Sequence, residues 1–216
     1  MPKFVLDAHR LIGPHPFDDL PEDPRPDLDR LGIDQALVTH TLSLYTDPQA
    51  GNDALRRIDD PRLIPVPVVV PGFCESSGIM VRLCPERHRF DLTGPVALRT
   101  VAALGVPVAV DLEESSPGQL LRLAGEVPKL LVLNPGYRRL RAVAELMAEA
   151  PNVWLEIGTV NTQRGVEWLA GQFGARRLVF GTGAPVMDDC GPRFLLDHLD
   201  LPQDDIELIA SGGDLL

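Results

Sequence analysis

Lysine is almost absent from this sequence, and cysteine is scarce. Lys3 and Lys129 are the only lysines, and acidic residues outnumber basic ones to give a formal net charge of −11 over 216 residues. A chain with this charge repels phosphate backbones and anionic lipid headgroups. The composition therefore argues against nucleic acid or a membrane surface as the partner.

The three cysteines, Cys74, Cys84 and Cys190, are an odd number and have no C-x-x-C spacing. This pattern predicts neither a disulfide framework nor a zinc knuckle, and it fits a reducing compartment. The longest apolar run, at residues 63–73, is interrupted by three prolines, and no signal peptide or spanning helix is expected. We therefore expect a cytoplasmic protein.

Short β-branched runs alternate with stretches of helical periodicity, as in βα units around a parallel sheet. With 44% hydrophobic residues, the chain can form one globular domain over residues 1–216. Eight strands are predicted at 3–9, 35–41, 62–70, 78–84, 106–112, 129–134, 152–157 and 177–181. Helices are predicted at 49–58, 94–104, 117–126, 138–150, 162–173 and 191–199. The order predicts an α/β fold, a compact (β/α)₈ TIM-like barrel.

Two segments bear on this fold prediction. Only residues 72–77 separate strands three and four, which is too short for a usual crossover helix. A doubly wound open sheet is the alternative fold, but the first turn carries no G-x-G-x-x-G for a dinucleotide. Residues 14–26, rich in proline and acid, are either a loop over the barrel mouth or a stiff surface connector.

The first strand carries an acid and a histidine toward its C-terminal end. Residues 4–13 read Phe-Val-Leu-Asp-Ala-His-Arg-Leu-Ile-Gly, with Asp7 and His9 inside the apolar run. Catalytic barrels keep their chemistry at the C-terminal ends of their strands. His9 is therefore a candidate general base or hydrogen-bond donor, although a buried histidine satisfied by Asp7 or by the backbone is the structural alternative.

This opening strand resembles that of the amidohydrolase-related proteins, a family of metal-dependent hydrolases and decarboxylases that begin Asp-x-His-x-His. Residues 31–38 are similar to the family's second strand, residues 151–158 to its seventh and residues 173–185 to its eighth. The resemblance thus covers most of the chain. It implies a barrel with its site at the C-terminal mouth.

The family's metal ligands are two histidines on the first strand, one each on the fifth and sixth, and an aspartate after the eighth. Here His9 remains, whereas Leu11, Asp111, Asn134 and Gly183 stand at the other four positions. Zinc sites use three or four protein ligands. We therefore expect no usual metal centre, with a divalent metal such as zinc held by substitute ligands as the minor alternative.

Asp111 and Arg82 are further candidates near strand ends. Asp111 could act as the acid–base partner, whereas Glu113 and Glu114 beyond it fit a solvated acidic loop. Arg82 lies in mid-strand, where a lone charge is costly, so it should pair with Asp7, Asp111 or Glu156. Such a pair could bind substrate or could be a structural plug that replaces the metal.

Two other segments near strand ends contain candidate groups. Gly181-Thr182-Gly183 could cradle phosphate, but Asp188 and Asp189 follow closely, so a tight turn is the preferred interpretation. His40, at the end of the second strand, could reach the mouth or point outward.

Together these residues predict His9 and Asp111 as catalytic and Arg82, Asn134 and Glu156 as substrate-binding. The resemblance implies hydrolysis or decarboxylation of a small polar substrate. The alternative is a catalytically inactive barrel that binds a ligand or another subunit. A homo-oligomer is compatible with the sequence, which specifies no interface.

Overall fold

The computed structural model describes residues 2–16 and 19–216. Eight strands are present: β1 Leu6–Ile12, β2 Gln35–His40, β3 Leu63–Pro65, β4 Val81–Leu83, β5 Val108–Asp111, β6 Leu130–Leu133, β7 Val153–Glu156 and β8 Leu178–Val179. The helices are α1 Arg25–Leu31, α2 Thr41–Tyr45, α3 Pro48–Leu55, α4 Pro85–His88, α5 Pro95–Leu104, α6 Pro117–Ala124, α7 Leu140–Glu149, α8 Gly165–Phe173, α9 Cys190–Asp197 and α10 Gln203–Ala210.

The strands form two parallel runs, β1-β2-β3 and β4-β5-β6-β7-β8. Single parallel bridges join the runs at both ends, Arg10 with Ala184 and Val68 with Arg82. The Leu11 amide donates to the Ala184 carbonyl at 2.8 Å, and the Arg82 amide donates to the Pro67 carbonyl at 2.9 Å. The ring of parallel neighbours is therefore continuous, as in the predicted (β/α)₈ barrel.

Two apolar layers hold this ring together. One contains mostly alternate strand residues and fills the barrel interior, including Leu37, Met80 and Leu131. The other contains the intervening strand residues together with helix residues such as Leu120, so it lies between strands and helices. Side chains of successive strand residues point to opposite faces, which explains this division.

All six predicted helices and all eight predicted strands are present, but several boundaries differ. The first strand was predicted at residues 3–9 and runs from Leu6 to Ile12. The third is only Leu63–Pro65, because prolines that cannot donate to a ladder follow at once. The link at 66–80 is longer than the predicted 72–77, and it contains no helix among its described residues.

Four helices were not predicted, namely α1, α2, α4 and α10. In α1 and α4 a proline occupies one of the first helical positions, where its missing N–H costs nothing. The prolines at 14–26 predict a loop or connector, so α1 was not expected. None of the helices in the described part of the chain has the length and apolarity needed to cross a membrane.

The described part of the segment at 14–26 contacts α2, where the Thr41 hydroxyl donates to the Pro14 carbonyl at 2.6 Å. The His15 ring meets the Tyr45 ring edge-on, with centroids 5.1 Å apart. Residues 22–25 line a separate groove that also contains His40. Phe17 and Asp18, which belong to this predicted loop, lie outside the described residues.

Candidate active site

Five strands deliver the predicted site residues to one place. His9 lies in β1, Arg82 in β4, Asp111 and Glu156 at the ends of β5 and β7, and Asn134 directly after β6. Four of these side chains are buried and Asn134 is half-buried. We call these five residues the mouth ring.

His9 uses both ring nitrogens within the mouth ring. Its Nδ1 lies 3.1 Å from Glu156 Oε2, and its Nε2 lies 3.2 Å from Arg82 Nη1. A guanidinium only donates hydrogen bonds, so Nε2 must accept from Arg82. The proton of the neutral imidazole is therefore on Nδ1, where it is donated to Glu156.

Asp111 joins Arg82 to Asn134 on the other side of the ring. Its Oδ2 accepts a hydrogen bond from Asn134 Nδ2 at 2.6 Å and lies 3.9 Å from Arg82 Nη2. Its Oδ1 accepts the Glu113 backbone amide at 2.9 Å. The carboxylate is thus fixed in orientation while it faces the guanidinium charge.

Asn134 closes the ring through its backbone. It adopts a left-handed conformation, with φ of +47°, and its amide donates to Glu156 Oε2 at 3.0 Å. Asparagine tolerates this conformation better than most residues with a side chain. One residue therefore orients Asp111 through its side chain and Glu156 through its backbone.

Three buried polar atoms of the mouth ring have no hydrogen-bond partner among the described residues. They are Arg82 Nε, Asn134 Oδ1 and Glu156 Oε1. Buried polar atoms in native proteins are nearly always paired with protein, water or ligand. The ring therefore has hydrogen-bonding capacity that the described chain does not use.

A cavity of about 250 Å³ opens above the ring. Four ring members line it, and Glu156 does not, because it lies behind His9 with its side chain fully buried. The described lining residues are His9, Leu11, Leu44, Tyr45, Arg82, Arg87, Asp111, Glu113, Asn134, Gly183, Val186 and Met187. Glu156 was predicted to bind substrate, whereas its position is that of a residue that orients His9.

Leu11 and Gly183 form one part of the cavity wall. Leu11 packs in an apolar cluster with Leu44 and Cys84. Gly183 has a φ of +70°, and a Cβ added there would lie 2.8 Å from the Met187 sulfur. The Gly183 amide donates to the His9 carbonyl at 2.7 Å. This wall is therefore apolar and offers no side-chain donor from either residue.

Sequence reasoning missed the cation beside the cavity. Arg87 Nε donates to Glu114 Oε1 at 2.6 Å, and the guanidinium lies 4.9 Å from the centre of the Tyr45 ring. Glu114 was expected in a solvated loop, but it is buried because Arg87 provides its counter-charge. The position of Arg87 just after β4, at the C-terminal end of a barrel strand, was the available signal.

Asp7 is not a partner of Arg82. An irregularity in the β1–β2 register between Asp7 and Arg10 places the two on the same side of the strand. Asp7 accepts hydrogen bonds from the Thr182 amide and hydroxyl, at 3.0 and 2.7 Å, and lies 3.6 Å from Arg10 Nη1. Burial raises the pKa of Asp7, while Arg10 and Thr182 oppose that rise.

Arg10 is the buried centre of a second charge group, which we call the outer cluster. Its Nη2 lies 3.0 Å from Asp27 and 3.6 Å from Asp189, and Arg30 contacts both acids at 2.9 Å. The cluster consists of Asp7, Arg10, Asp27, Arg30 and Asp189. It ties β1 to α1 and to the segment after β8.

Residues 181–183 and His40 make structural contacts. Thr182 binds Asp7 and Gly183 binds the His9 carbonyl, so residues 181–183 form the closing turn that was preferred over a phosphate cradle. His40 points away from the mouth, accepts the Leu42 amide at 3.1 Å and packs against Gly13. Burial lowers the pKa of His40, and the nearby Glu22 opposes that shift.

One group of three potential metal ligands is present among the described residues. It consists of Asp188, Asp189 and Cys190, on the surface, where Arg30 already contacts Asp189 and Cys190. It lies outside the mouth cavity lining.

Comparisons with solved structures give the same fold. An uncharacterized TIM-barrel protein from Bordetella bronchiseptica is 14% identical, with a TM-score of 0.73 over 97% of this chain and 96% of that one. A putative 2-pyrone-4,6-dicarboxylic acid hydrolase from Pseudomonas putida is 16% identical, with a TM-score of 0.65 over 100% and 98%.

A third solved structure contains a metal. It is 5-carboxyvanillate decarboxylase from Novosphingobium aromaticivorans, complexed with manganese and 4-hydroxy-3-methoxy-5-nitrobenzoic acid. It is 15% identical, with a TM-score of 0.63 over 89% of this chain and 78% of that one.

No curated protein matches the sequence. A family profile described as Amidohydrolase matches residues 13–212, nearly the whole chain. Together with the barrel and its TIM-barrel neighbours, this match shows that the chain belongs to the amidohydrolase family.

Proposed function

We propose that this protein hydrolyses or decarboxylates a small polar substrate at the mouth of the barrel, without the metal centre of its family. The observation that carries this proposal is a closed ring of His9, Arg82, Asp111, Asn134 and Glu156 beneath an open cavity. Both the hydrolase and the decarboxylase among the structural neighbours have this fold, which supports either reaction.

The residues at the family's ligand positions do not fit a metal. Leu11 and Gly183 supply no ligand atom, and Met187 fills the space beside Gly183. The lone pair of His9 Nε2 accepts a hydrogen bond from Arg82, and Asn134 offers a neutral amide. Catalytic zinc sites need three protein ligands. Among the family's positions only Asp111 adds a carboxylate, and it is held by Asn134 and the Glu113 amide.

Acid–base chemistry falls to His9 in this proposal. When Arg82 donates to a substrate oxygen, His9 Nε2 becomes free to accept a proton. The imidazolium that forms lies 3.1 Å from Glu156 Oε2, whose negative charge stabilises it. Asp111 serves as the second acid–base group on the far side of Arg82, held by Asn134.

The cavity limits the size and polarity of the substrate. Its volume of about 250 Å³ is below the usual range for drug-sized ligands. Arg82, Arg87 and the Tyr45 ring offer donors and a flat surface on one wall. A small substrate with a planar or carboxylate-bearing part fits this lining.

A ligand-binding barrel without catalysis is the second candidate. Gly183 favours it, because this residue brings no carboxylate to the position of the family's aspartate and Met187 fills the adjacent space. A protein that binds small polar molecules with the mouth ring intact, yet turns none over, would fit this candidate.

The test is turnover of a panel of small lactones, esters and aromatic carboxylic acids in the presence of a strong chelator. We expect activity in the unaltered protein and a loss of about 100-fold or more in His9→Asn, the usual scale for a lost acid–base group. The matched control is His198→Asn, since His198 is exposed at the end of α9. Activity that chelation abolishes and manganese restores would contradict the proposal.

A further inference from the structure

We propose that the Arg82 guanidinium stands in the place of the family's metal ion, as the fixed positive charge of the site. The inference rests on the proposed metal-free function. Its basis is the contact of one cation with two of the family's ligand positions, His9 Nε2 at 3.2 Å and Asp111 Oδ2 at 3.9 Å.

The contact with His9 excludes a metal at the same atom. A metal binds histidine through a ring-nitrogen lone pair. His9 Nδ1 carries its proton toward Glu156, and the Nε2 lone pair accepts from Arg82 Nη1. An ion could bind His9 only after the guanidinium had moved.

The charge balance of the ring also requires this cation. Arg82 is 3% exposed and lies 3.9 Å from the buried carboxylate of Asp111, while the buried carboxylate of Glu156 lies across His9. Buried ionised groups are costly unless they are paired. Arginine is charged at any pH that a protein experiences, so Arg82 supplies a constant positive charge, as a bound metal would.

The guanidinium keeps donors for a ligand. Its Nε has no partner among the described residues, and Nη2 is beyond hydrogen-bond distance of Asp111. Arg82 also lines the cavity. A guanidinium can therefore hold a substrate oxygen, but it cannot bind and acidify water as a divalent ion does, so proton transfer remains with His9.

The first measurement is the tautomer of His9, read from its ring ¹⁵N shifts in the unaltered protein. We expect the Nδ1–H form, with Nε2 unprotonated. In Arg82→Met we expect those shifts to change as Nε2 loses its donor. The matched control is Arg99→Met, because Arg99 is exposed on α5 and should leave the His9 signals unmoved. Unchanged His9 shifts in Arg82→Met would overturn the inference.

The second measurement is titration of the unaltered protein with manganese or zinc alone, followed by the same His9 signals. We expect no saturable change at His9. Stoichiometric binding that shifts His9 and is lost in His9→Asn would overturn the inference. Both measurements on the unaltered protein remain decisive if Arg82→Met does not fold.

Neither readout requires turnover. A protein with the Nδ1–H tautomer and no metal at His9, but without any activity, would support the role of Arg82 and refute the catalytic proposal. Failure of the inference about Arg82 and failure of the catalytic proposal therefore give different results.

Discussion

Two groups of charges, each around a buried arginine, lie on opposite sides of β1. The mouth ring meets the strand at His9, and the outer cluster meets it at the next residue, Arg10. Both contain an arginine less than 5% exposed, and both leave guanidinium nitrogens without a hydrogen bond among the described residues. Burial and incomplete hydrogen bonding therefore do not distinguish a functional group of charges from a structural one.

The two groups differ in whether their residues line a cavity. His9, Arg82, Asp111 and Asn134 line a cavity, whereas Asp7 and Arg10 are not among its described lining residues. The outer cluster instead joins β1, α1 and the segment after β8. In the proposed function a ligand replaces some internal contacts of the ring, whereas we expect the cluster to serve stability.

The largest expected effect is on stability, at the outer cluster. Arg10→Met removes the cation shared by Asp7, Asp27 and Asp189, and removing one partner from a buried ion pair costs about 3–5 kcal/mol. Urea unfolding measures this loss. Arg25→Met is the control, since the exposed Arg25–Asp23 pair should contribute little to stability. Equal losses in the two variants would contradict a structural role for Arg10.

Asn134 contributes a side-chain hydrogen bond and a left-handed backbone to the mouth ring, and two substitutions separate these contributions. Asn134→Ala and Asn134→Gly both lose the hydrogen bond to the Asp111 carboxylate, which contributes about 1.5–3 kcal/mol. Alanine also bears the cost of the left-handed backbone, about 1–2 kcal/mol, and glycine does not. We expect unfolding to show alanine as the less stable variant by that amount. Equal stabilities would remove the backbone argument.

Gly183→Asp tests whether the missing family acid could simply be restored. The positive φ and the nearby Met187 sulfur predict a destabilisation of about 1–2 kcal/mol and no gain of metal binding. Thermal unfolding and a zinc titration measure the two effects. Gly183→Asp with Met187→Ala should recover part of the stability. If the Gly183→Asp protein were stable and bound zinc, the lack of an acid at position 183 alone, and not the whole cavity wall, would explain the missing metal site.

The smallest expected effect is a pH dependence outside both charge groups. His40 Nδ1 caps α2 by accepting the Leu42 amide, and burial lowers the pKa of His40 below its unfolded value near 6.5. Stability from the neutral form is therefore present above about pH 6.5 and is lost as pH falls below it toward the folded pKa.

We expect acidification from pH 7.5 to pH 5.5 to remove roughly 1 kcal/mol through this group, the usual contribution of an N-cap. His40→Asn keeps a capping oxygen that does not titrate, so its stability should decline less over the same range. Unfolding curves at the two pH values make the comparison. An identical decline in both proteins would mean that His40 is not responsible.

The members of the mouth ring could be proposed from the sequence because most of them lie at or near the C-terminal end of an apolar run. His9, Asp111, Asn134 and Glu156 all follow this rule, as does the barrel that brings such ends together. Arg82 was predictable from the cost of a lone charge in mid-strand. The residue types and strand ends thus indicated most of the mouth ring.

The pairing within the ring was not predictable. Simple alternation places Asp7 and His9 on the same face, but the register irregularity in β1 puts Asp7 beside Arg10. Such an irregularity leaves no signal in the apolar pattern. Likewise, the burial of Glu114 depends on Arg87, which is distant in sequence and is brought close only by the closed barrel.

The most direct test of the account is elemental mass spectrometry of untagged protein purified without added metal, beside a chelator-treated sample. Because Arg82 donates to His9 Nε2, and neither Leu11 nor Gly183 supplies a ligand side chain, the account predicts no stoichiometric transition metal in either sample. One equivalent of manganese or zinc, absent from His9→Asn, would contradict it.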